Sequence, residues 1–373
     1  MVTAAPPTVT LERAVAAGAP IDRLAGAHGG RVGLSGLLDD LDSTAYAQPV
    51  PARAAGYGFA WNAEDDADAT WWPQGISSSA DASADGVALG RRIVVVSWYA
   101  RKATGGSRGS RLTFADLTNE SALRYRHVEL VEAYAGDEDS TEAGFQPVRI
   151  HAGGIAWYGG TVVVADTHGG LRLFSTDDIV KLGGAAGSRY VIAQRSAYRP
   201  HAAADPQGLR FSYLSLDRTC EPHGLIAGEY GVGAQTTRLV AFHLPSDGRW
   251  PDQLTGEIDT MPSATHTQGA VAVSGTWYLA ISRGRFRRGT MEVRTPRSQS
   301  RRYVSSLVIG CEDLSYDPTR DVLWGLSEYP GRRFVYAMPR TYFTGNRLRG
   351  LVHRPDLAVA QHLRTLMSRR NRR

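Results

Sequence analysis

Histidine, glutamate and glutamine residues recur at matching places along this chain of 373 residues. His151 stands two residues before Gly153, and His266 stands two residues before Gln268. A short apolar segment follows in both cases, and Glu312 opens a similar segment nearer the C-terminus. Imidazole, carboxylate and amide groups that converge on one point can transfer protons, hold a metal ion or orient a bound molecule. These positions are therefore the candidates for a functional site.

Proton transfer is one of three uses that these groups allow. Glu312 or His151 would accept a proton, and the donor would be Tyr99, His266 or Tyr329. Desolvation in a narrow channel raises the pKa of a carboxyl group, whereas a cationic imidazole lowers it, and such tuning serves elimination, cyclisation and ring hydrolysis alike. The catalytic candidates are Glu312, His151, His266 and Tyr99.

A divalent metal is the second use. His151, His266 and Glu312 would be its ligands, with Gln268 or Gln74 in support. Imidazole with carboxylate suits zinc, iron or manganese, whereas an oxygen-only set would suit calcium. No pair of these ligands has a fixed local spacing, so the sequence leaves the metal open.

Binding without catalysis is the third use. Trp71, Trp72, Trp98 and Tyr230 would stack on a sugar or an aromatic ring, and polar side chains would fix its orientation. The remaining alternative is a plugged channel in which the histidines only bridge neighbouring units through hydrogen bonds and water. The predicted substrate-binding residues are Gln74, Trp72, Trp98, Asp166, His168, Glu229, Tyr230, Gln268, Arg283 and Tyr329.

Five pairs of short segments rich in β-branched and aromatic residues must position these side chains. Each pair reads as two strands joined by a polar or glycine-bearing turn. The pairs span residues 92–115, 161–175, 224–242, 276–293 and 322–337. A repeat of this kind is typical of stacked units that cannot bury their faces alone, as in a propeller.

An inner strand rich in small residues precedes each pair. The candidates lie at residues 74–76, 153–157, 212–217, 268–273 and 312–317. Small residues suit strands that crowd around a central axis. We therefore predict an all-β fold, a five-bladed β-propeller, with six blades as the alternative. The starts of inner strands and the ends of second strands share one face, which places Glu328 and Tyr329 beside the candidates above.

The N-terminal and C-terminal parts of the chain complete the predicted fold. Residues 53–61 alternate like a strand and are predicted to be the outermost strand of the last blade, which closes the ring. The predicted organisation is an N-terminal extension over 1–52, a propeller over 53–339 and a basic tail over 340–373. Short helices are expected within 34–41 and 356–367.

The segment from Glu312 to Pro318, Glu-Asp-Leu-Ser-Tyr-Asp-Pro, resembles the blade openings of gluconolactonase, paraoxonase and strictosidine synthase-like propellers. In those families a residue at this place often faces a calcium ion or a small substrate in the channel. The resemblance therefore implies a site at Glu312. It covers one motif, and those relatives have six blades.

Composition narrows the function classes. The chain has a formal net charge of +5, and nine arginines after residue 339 contribute much of it. A basic tail of this kind is more often a solvated terminus than a binding segment, so no nucleic-acid partner is expected. No phosphate-binding glycine loop is present, so no nucleotide cofactor is expected. No apolar run is long enough for a membrane span, and no leader is recognisable, which favours a cytoplasmic protein over a secreted one. Cys220 and Cys311 are expected to be buried free thiols.

The leading hypothesis is a small-molecule enzyme of the lyase, cyclase or hydrolase type, acting as a monomer or homodimer. It would use acid–base chemistry, with or without a divalent metal, in the central channel of the propeller. The alternative is a propeller that binds a glycan or another small ligand without catalysis.

Overall fold

The computed structural model describes residues 7–16, 18–101, 108–135, 143–183, 189–200, 208–245, 249–259, 263–295 and 300–344. The chain is mainly β, as predicted, and every helix in these ranges has ten residues or fewer. No helix in them is long and apolar enough to cross a membrane. The helix predicted within 356–367 lies outside the described residues.

The N-terminal part forms seven short elements, of which α2 agrees with the helix predicted within 34–41. Leu34, Leu37 and Leu38 of that helix are buried. The elements are β1 (Thr8–Val15), α1 (Gly18–Ala27), α2 (Gly33–Leu38), β2 (Ser43–Thr44), β3 (Tyr46–Ala47), β4 (Tyr57–Ala60) and α3 (Ala63–Ala67).

The first two strand groups each contain four consecutive antiparallel strands. The first group and its associated elements are β5 (Trp71–Ser78), α4 (Ser79–Ala82), β6 (Ile93–Ala100), β7 (Ser110–Asp116), β8 (Arg124–Ala135) and the added hairpin strand β9 (Ala143–Pro147). The second group is β10 (Ile155–Tyr158), β11 (Thr161–Asp166), β12 (Gly170–Leu182) and β13 (Arg189–Pro200). The strands β8 and β13 are the fourth strands of their groups.

The third and fourth groups repeat this pattern. The third group is β14 (Tyr213–Asp217), β15 (Gly224–Gly228), β16 (Leu239–His243) and β17 (Gln253–Ile258). The fourth group is β18 (Thr267–Val273), β19 (Thr276–Ile281), β20 (Thr290–Arg294) and β21 (Arg301–Tyr303).

The fifth group takes its fourth strand from the N-terminal part of the chain. It contains β22 (Cys311–Asp317), β23 (Val322–Ser327) and β24 (Phe334–Pro339), and the short helix α5 (Thr341–Thr344) follows. The strand β24 pairs antiparallel with β4, so that Tyr336 lies opposite Gly58. The strand predicted from residues 53–61 therefore lies at the outer side of this group.

The N-terminal strand β1 joins two groups at their outer edges. It pairs antiparallel with β13 of the second group and with β17 of the third group. Both edges are thereby covered, which removes unpaired backbone groups that could otherwise bind another strand. Residues 8–15 of the N-terminal part thus pack onto the second and third strand groups.

The core lies between neighbouring groups. One apolar cluster joins the first and second groups, a second joins the second and third, and others join the third with the fourth, the fourth with the fifth and the fifth with the first. The strand β6 illustrates the reason, because its run from Ile93 to Val96 is buried on both faces. A strand buried on both faces needs a continuous apolar run rather than alternation.

The first strands of the groups approach one another closely. A Cβ atom on Gly75 of β5 would lie 2.8 Å from the backbone nitrogen of Ile155, and one on Gly269 of β18 would lie 2.7 Å from that of Leu314. Real side chains do not tolerate such distances to backbone atoms. The small residues predicted for the inner strands are therefore required by contact between neighbouring groups.

The two cysteines are both free. Cys311 is buried, as predicted, whereas Cys220 is exposed. The prediction that Cys220 is buried was wrong because the residue lies outside the strands, in the turn between β14 and β15.

Candidate functional site

Two glutamates lie where first strands begin and second strands end. Glu312 is the second residue of β22, and Glu328 directly follows β23. The Glu312 side chain is only 3% exposed. Both residues belong to the fifth group, so the antiparallel pairing of β22 with β23 brings them to the same end of that group.

Each glutamate accepts a hydrogen bond from a glutamine of a different strand group. The Gln268 nitrogen Nε2 donates to Glu312 Oε1 at 3.1 Å, and the Gln74 nitrogen Nε2 donates to Glu328 Oε2 at 3.2 Å. Gln268 lies on β18 and Gln74 on β5, so three groups contribute to the site. Its carboxyl groups are thus held by neutral amides.

Local irregularities in three first strands occur at these residues. The pairing register shifts between Pro73 and Ile76 in β5, between Thr267 and Gly269 in β18, and between Cys311 and Leu314 in β22. These intervals contain Gln74, Gln268 and Glu312, respectively. A bulge changes the direction of a side chain and is common beside functional sites.

The protonation of the two glutamates is coupled. Burial raises the pKa of Glu312 well above its usual range, and the nearby Glu328 and Asp313 carboxyls raise it further. Burial also raises the pKa of Glu328, although the hydrogen bonds from Gln74 and Tyr329 and the positive charges of Arg101 and Arg333 oppose the rise. Two like charges in a desolvated site disfavour double ionisation, so one proton tends to stay on the pair.

Three tyrosines surround this pair. Burial raises the pKa of Tyr99, Tyr230 and Tyr329, and the negative charges of Glu328 and Glu312 raise each of them further. Each phenol therefore stays protonated near neutral pH and can donate a hydrogen bond. Tyr329 also lies edge-on to Trp72, with ring centroids 5.9 Å apart.

His151 lies beside Tyr99, with ring centroids 4.4 Å apart. The residue is exposed to solvent, yet protein atoms surround much of its ring. This desolvation lowers the pKa of His151 below 6.5. The imidazole is therefore neutral at pH 7 and able to accept a proton.

Trp72 is 7% exposed, and neighbouring side-chain and backbone atoms fix its indole ring. Its Nε1 donates to the Ala69 carbonyl oxygen at 3.0 Å, and the Arg101 guanidinium lies 4.8 Å from the ring centroid. This packing leaves little of the indole available for stacking on a ligand. Trp72 instead supports the Tyr329 ring.

His266 and Arg283 line a pocket at the fourth group. Both residues are exposed, and the pocket has a volume of about 490 Å³. The ring centroid of His266 lies 5.9 Å from that of Tyr230. The pocket therefore lies beside Tyr230, one of the tyrosines around the two glutamates.

Two predicted substrate-binding residues have structural partners instead. Trp98 is fully buried in the core between the first and fifth groups, where its ring packs against Trp61. Glu229 is also fully buried, and its oxygens accept from Arg238 Nη2 at 2.9 Å and Nε at 3.2 Å. Neither side chain has surface from which to contact a substrate, so the structure corrects both predictions.

Asp166 and His168 lie in the turn after β11. Asp166 Oδ2 accepts from Arg172 Nε at 2.9 Å, and Oδ1 accepts from the Gly169 backbone nitrogen at 3.3 Å. This geometry is that of a tight turn, in which Asp166 has structural partners. His168 is exposed in the same turn.

The predicted metal ligands are not assembled. Across the described ranges, no three His, Cys, Asp or Glu side chains come together in a way that could hold a metal ion. Glu312 is buried, whereas His151 and His266 are exposed and lie beside different tyrosines. The structure therefore contradicts the metal set of His151, His266 and Glu312.

Two further buried acids lie near the first strands: Asp313 follows Glu312 in β22, and Asp81 lies in α4. Asp313 is fully buried, and its Oδ2 accepts from the backbone nitrogens of Ile76 at 3.2 Å and Ile155 at 3.3 Å. Asp81 is 1% exposed, and its Oδ2 accepts from the Ser315 hydroxyl at 2.8 Å. The space between the first strands thus contains polar groups rather than an apolar plug.

The sequence placed Glu328 beside the candidate residues without giving it a role, and it gave no role to Asp313 or Asp81. The repeat pattern could have assigned Glu328, because Tyr329 beside it was already a candidate. No local signal distinguishes Asp81 from an ordinary turn acid, since its burial depends on distant strands.

Comparison with known proteins adds little. No family model matches the chain, and no curated protein matches it. Among solved structures, the chain is similar to the hydrazine synthase of Kuenenia stuttgartiensis, at 12% identity over 69% of this chain and 74% of that chain, with a TM-score of 0.32. So low a TM-score supports no conclusion about fold or function. The resemblance to gluconolactonase-like propellers stays a prediction.

Proposed function

We infer that the five strand groups are the blades of a five-bladed β-propeller, with β4 closing the ring. Two observations support this inference. The first strands contact one another in the cyclic order β5, β10, β14, β18, β22 and again β5. The apolar clusters join neighbouring groups in the same order. The site described above would then lie at one end of the propeller axis.

We propose that this axial site is the active site of a small-molecule enzyme that works by acid–base catalysis. The single observation that carries the proposal is the pair of coupled, desolvated carboxyl groups of Glu312 and Glu328. Such a pair can hold one proton near neutral pH, so that one carboxyl donates while the other accepts. Structural carboxylates are usually neutralised by cations, as Glu229 is by Arg238.

The two carboxyls differ in burial, which suggests their roles. Glu312 is the more buried and keeps its proton more strongly, so it is the general acid. Glu328 is only partly buried and is the general base. Tyr99 donates a hydrogen bond to a developing oxyanion, and neutral His151, whose ring centroid lies 4.4 Å from that of Tyr99, relays a proton.

These roles fit lyase, cyclase and hydrolase reactions. In the first two, Glu328 removes a proton from the substrate while Glu312 protonates the leaving or carbonyl oxygen. In a hydrolase, Glu328 instead removes a proton from the attacking water. All three types use one general acid and one general base.

Turnover of a compound panel tests this proposal. The panel contains sugar lactones, aryl glycosides and uronides that can undergo β-elimination. Once a substrate is found, Glu312→Gln and Glu328→Gln should each lower kcat by roughly a hundredfold or more, while the fold is retained. Glu221→Gln, at an acid with 74% of its side chain exposed, is the matched control.

Two results would contradict the proposal. One is full turnover by Glu312→Gln and Glu328→Gln. The other is tight binding of panel compounds with no conversion of any of them, which would favour the alternative of a ligand-binding propeller.

A further inference from the structure

The loop between β19 and β20 is strongly cationic. It spans residues 282–289, contains no acid and has four exposed arginines, which are Arg283, Arg285, Arg287 and Arg288. Arg301 and Arg302 of β21 are also exposed. Such a surface raises the local concentration of anions.

The pocket of about 490 Å³ at this loop is lined by groups that favour an anion. Its polar lining comes from Thr265, His266, Ser282, Arg283, Thr290 and Arg302. No acidic side chain of the described residues lines it. Glu292 lies nearby, but its oxygens accept from Arg294 Nε at 2.6 Å and Arg302 Nε at 2.7 Å.

Two side chains of this pocket, Thr290 and Arg283, lack partners among the described residues. Thr290 is 2% exposed, and its hydroxyl has no hydrogen-bond partner in the described part of the chain. Arg283 has no ion pair with any described residue. Arg302 contacts Glu292 through Nε and keeps 59% of its side chain exposed. A buried hydroxyl without a partner costs free energy that a bound acceptor would recover.

The pocket lies next to the axial site. His266 lines the pocket and lies edge-on to Tyr230. The His266 backbone has a φ of 66° and is held there by a hydrogen bond from its nitrogen to the Gly231 carbonyl oxygen at 2.9 Å. Arg285 of the same loop lies 5.4 Å from the ring centroid of Tyr329. Tyr230 and Tyr329, two of the tyrosines around the glutamates, thus lie beside the pocket and its loop.

We propose that the pocket binds an anionic group, a carboxylate, sulfate or phosphate, of the molecule whose reacting bond lies at Glu312 and Glu328. This inference rests on the proposed function and specifies the substrate class. Arg283 and Arg302 supply charge, and Thr290 and Ser282 supply hydroxyl donors. A charge-assisted contact of this kind fixes orientation as well as affinity.

Calorimetric titration at low ionic strength tests the pocket without knowledge of the substrate. The probes are sodium phosphate, sodium sulfate and sodium glucuronate, with uncharged glucose as the control. At least one anion should bind, whereas glucose should not. The three anions distinguish the carboxylate, sulfate and phosphate sources of the charge.

Two substitutions should weaken that binding. Arg283→Gln should weaken it by roughly tenfold or more, because it removes a charge at the pocket wall. Arg287→Gln, at an exposed arginine of the same loop that does not line the pocket, should weaken it by no more than about twofold. Thr290→Val should weaken binding severalfold and leave the protein at least as stable, since it removes an unpartnered hydroxyl.

The outcomes separate this proposal from the proposed function. Glu312→Gln should retain anion binding, because Glu312 is outside the pocket. If turnover then survives in Glu312→Gln, the acid–base proposal is wrong while the anion pocket stands. Absence of anion binding, or equal losses in Arg283→Gln and Arg287→Gln, overturns the pocket. Capture of heparin that depends equally on both arginines would indicate a polyanion surface instead and would also overturn it.

Discussion

Replacing Asp81 by asparagine should make the free energy of unfolding less sensitive to pH. Asp81 is 1% exposed, and its Oδ2 accepts hydrogen bonds from the Ser77 hydroxyl at 2.6 Å and the Ser315 hydroxyl at 2.8 Å. Its Oδ1 has no partner among the residues that the structure describes. The charged groups that act on this cluster are Arg218, which lowers the pKa of Asp81, and Asp313.

The magnitude follows from the pKa of Asp81. Burial raises it from 3.8 to about 7, despite the two hydroxyl hydrogen bonds. Because the folded protein holds this proton more tightly than the unfolded chain, the stabilisation is complete below about pH 4 and is lost as the pH rises through 7. Each pKa unit corresponds to about 1.36 kcal/mol, so the rise from 3.8 to about 7 makes the lost contribution to the free energy of unfolding about 4 kcal/mol.

Urea unfolding at pH 4.5, 6, 7 and 8.5 measures this effect. Asp81→Asn cannot ionise, so its stability relative to the natural protein should improve by up to about 4 kcal/mol between the lowest and highest pH. Asp85→Asn, at an exposed aspartate nearby, should show no such gain. If the free energies of unfolding of Asp81→Asn and the natural protein change in parallel with pH, the prediction is wrong.

Two further predictions concern the fold. Asp65→Asn should lower the free energy of unfolding by about 3–5 kcal/mol, because Asp65 Oδ1 accepts from the buried Arg111 guanidinium at 2.9 Å; an unchanged urea midpoint would contradict this. Gly269→Ala should cost about 1–3 kcal/mol, because its Cβ would meet the Leu314 backbone nitrogen. Gly26→Ala, in a helix with open space around the Cβ, is its control and should be neutral or stabilising in the same urea assay.

The strand groups could be predicted because their signal is local. Runs such as Ile93–Val96 favour strands wherever they occur, and the five-fold recurrence shows how the strands group. The pairing of β1 with β13 and β17 could not be predicted, because it joins residues far apart in the chain without a repeat.

The candidate site was predictable in part for a similar reason. Repeat positions placed Gln268 and Glu312 at the starts of first strands, where the structure has them, whereas the strand predicted to start at Gln74 begins three residues earlier, at Trp71. The sequence could not decide between Trp98 and Tyr99, because adjacent strand residues face opposite sides and either could have faced the site.

The proposed catalysis requires that Glu312 holds a proton at pH 7. Infrared spectroscopy of protein with ¹³C-labelled glutamate carboxyls resolves protonated from ionised groups. At pH 7 we expect a protonated glutamate band that disappears in Glu312→Gln and persists in Glu292→Gln, because Glu292 is buried but paired with two arginines. A spectrum with no protonated glutamate at pH 7, or a band that Glu312→Gln leaves unchanged, would contradict the account.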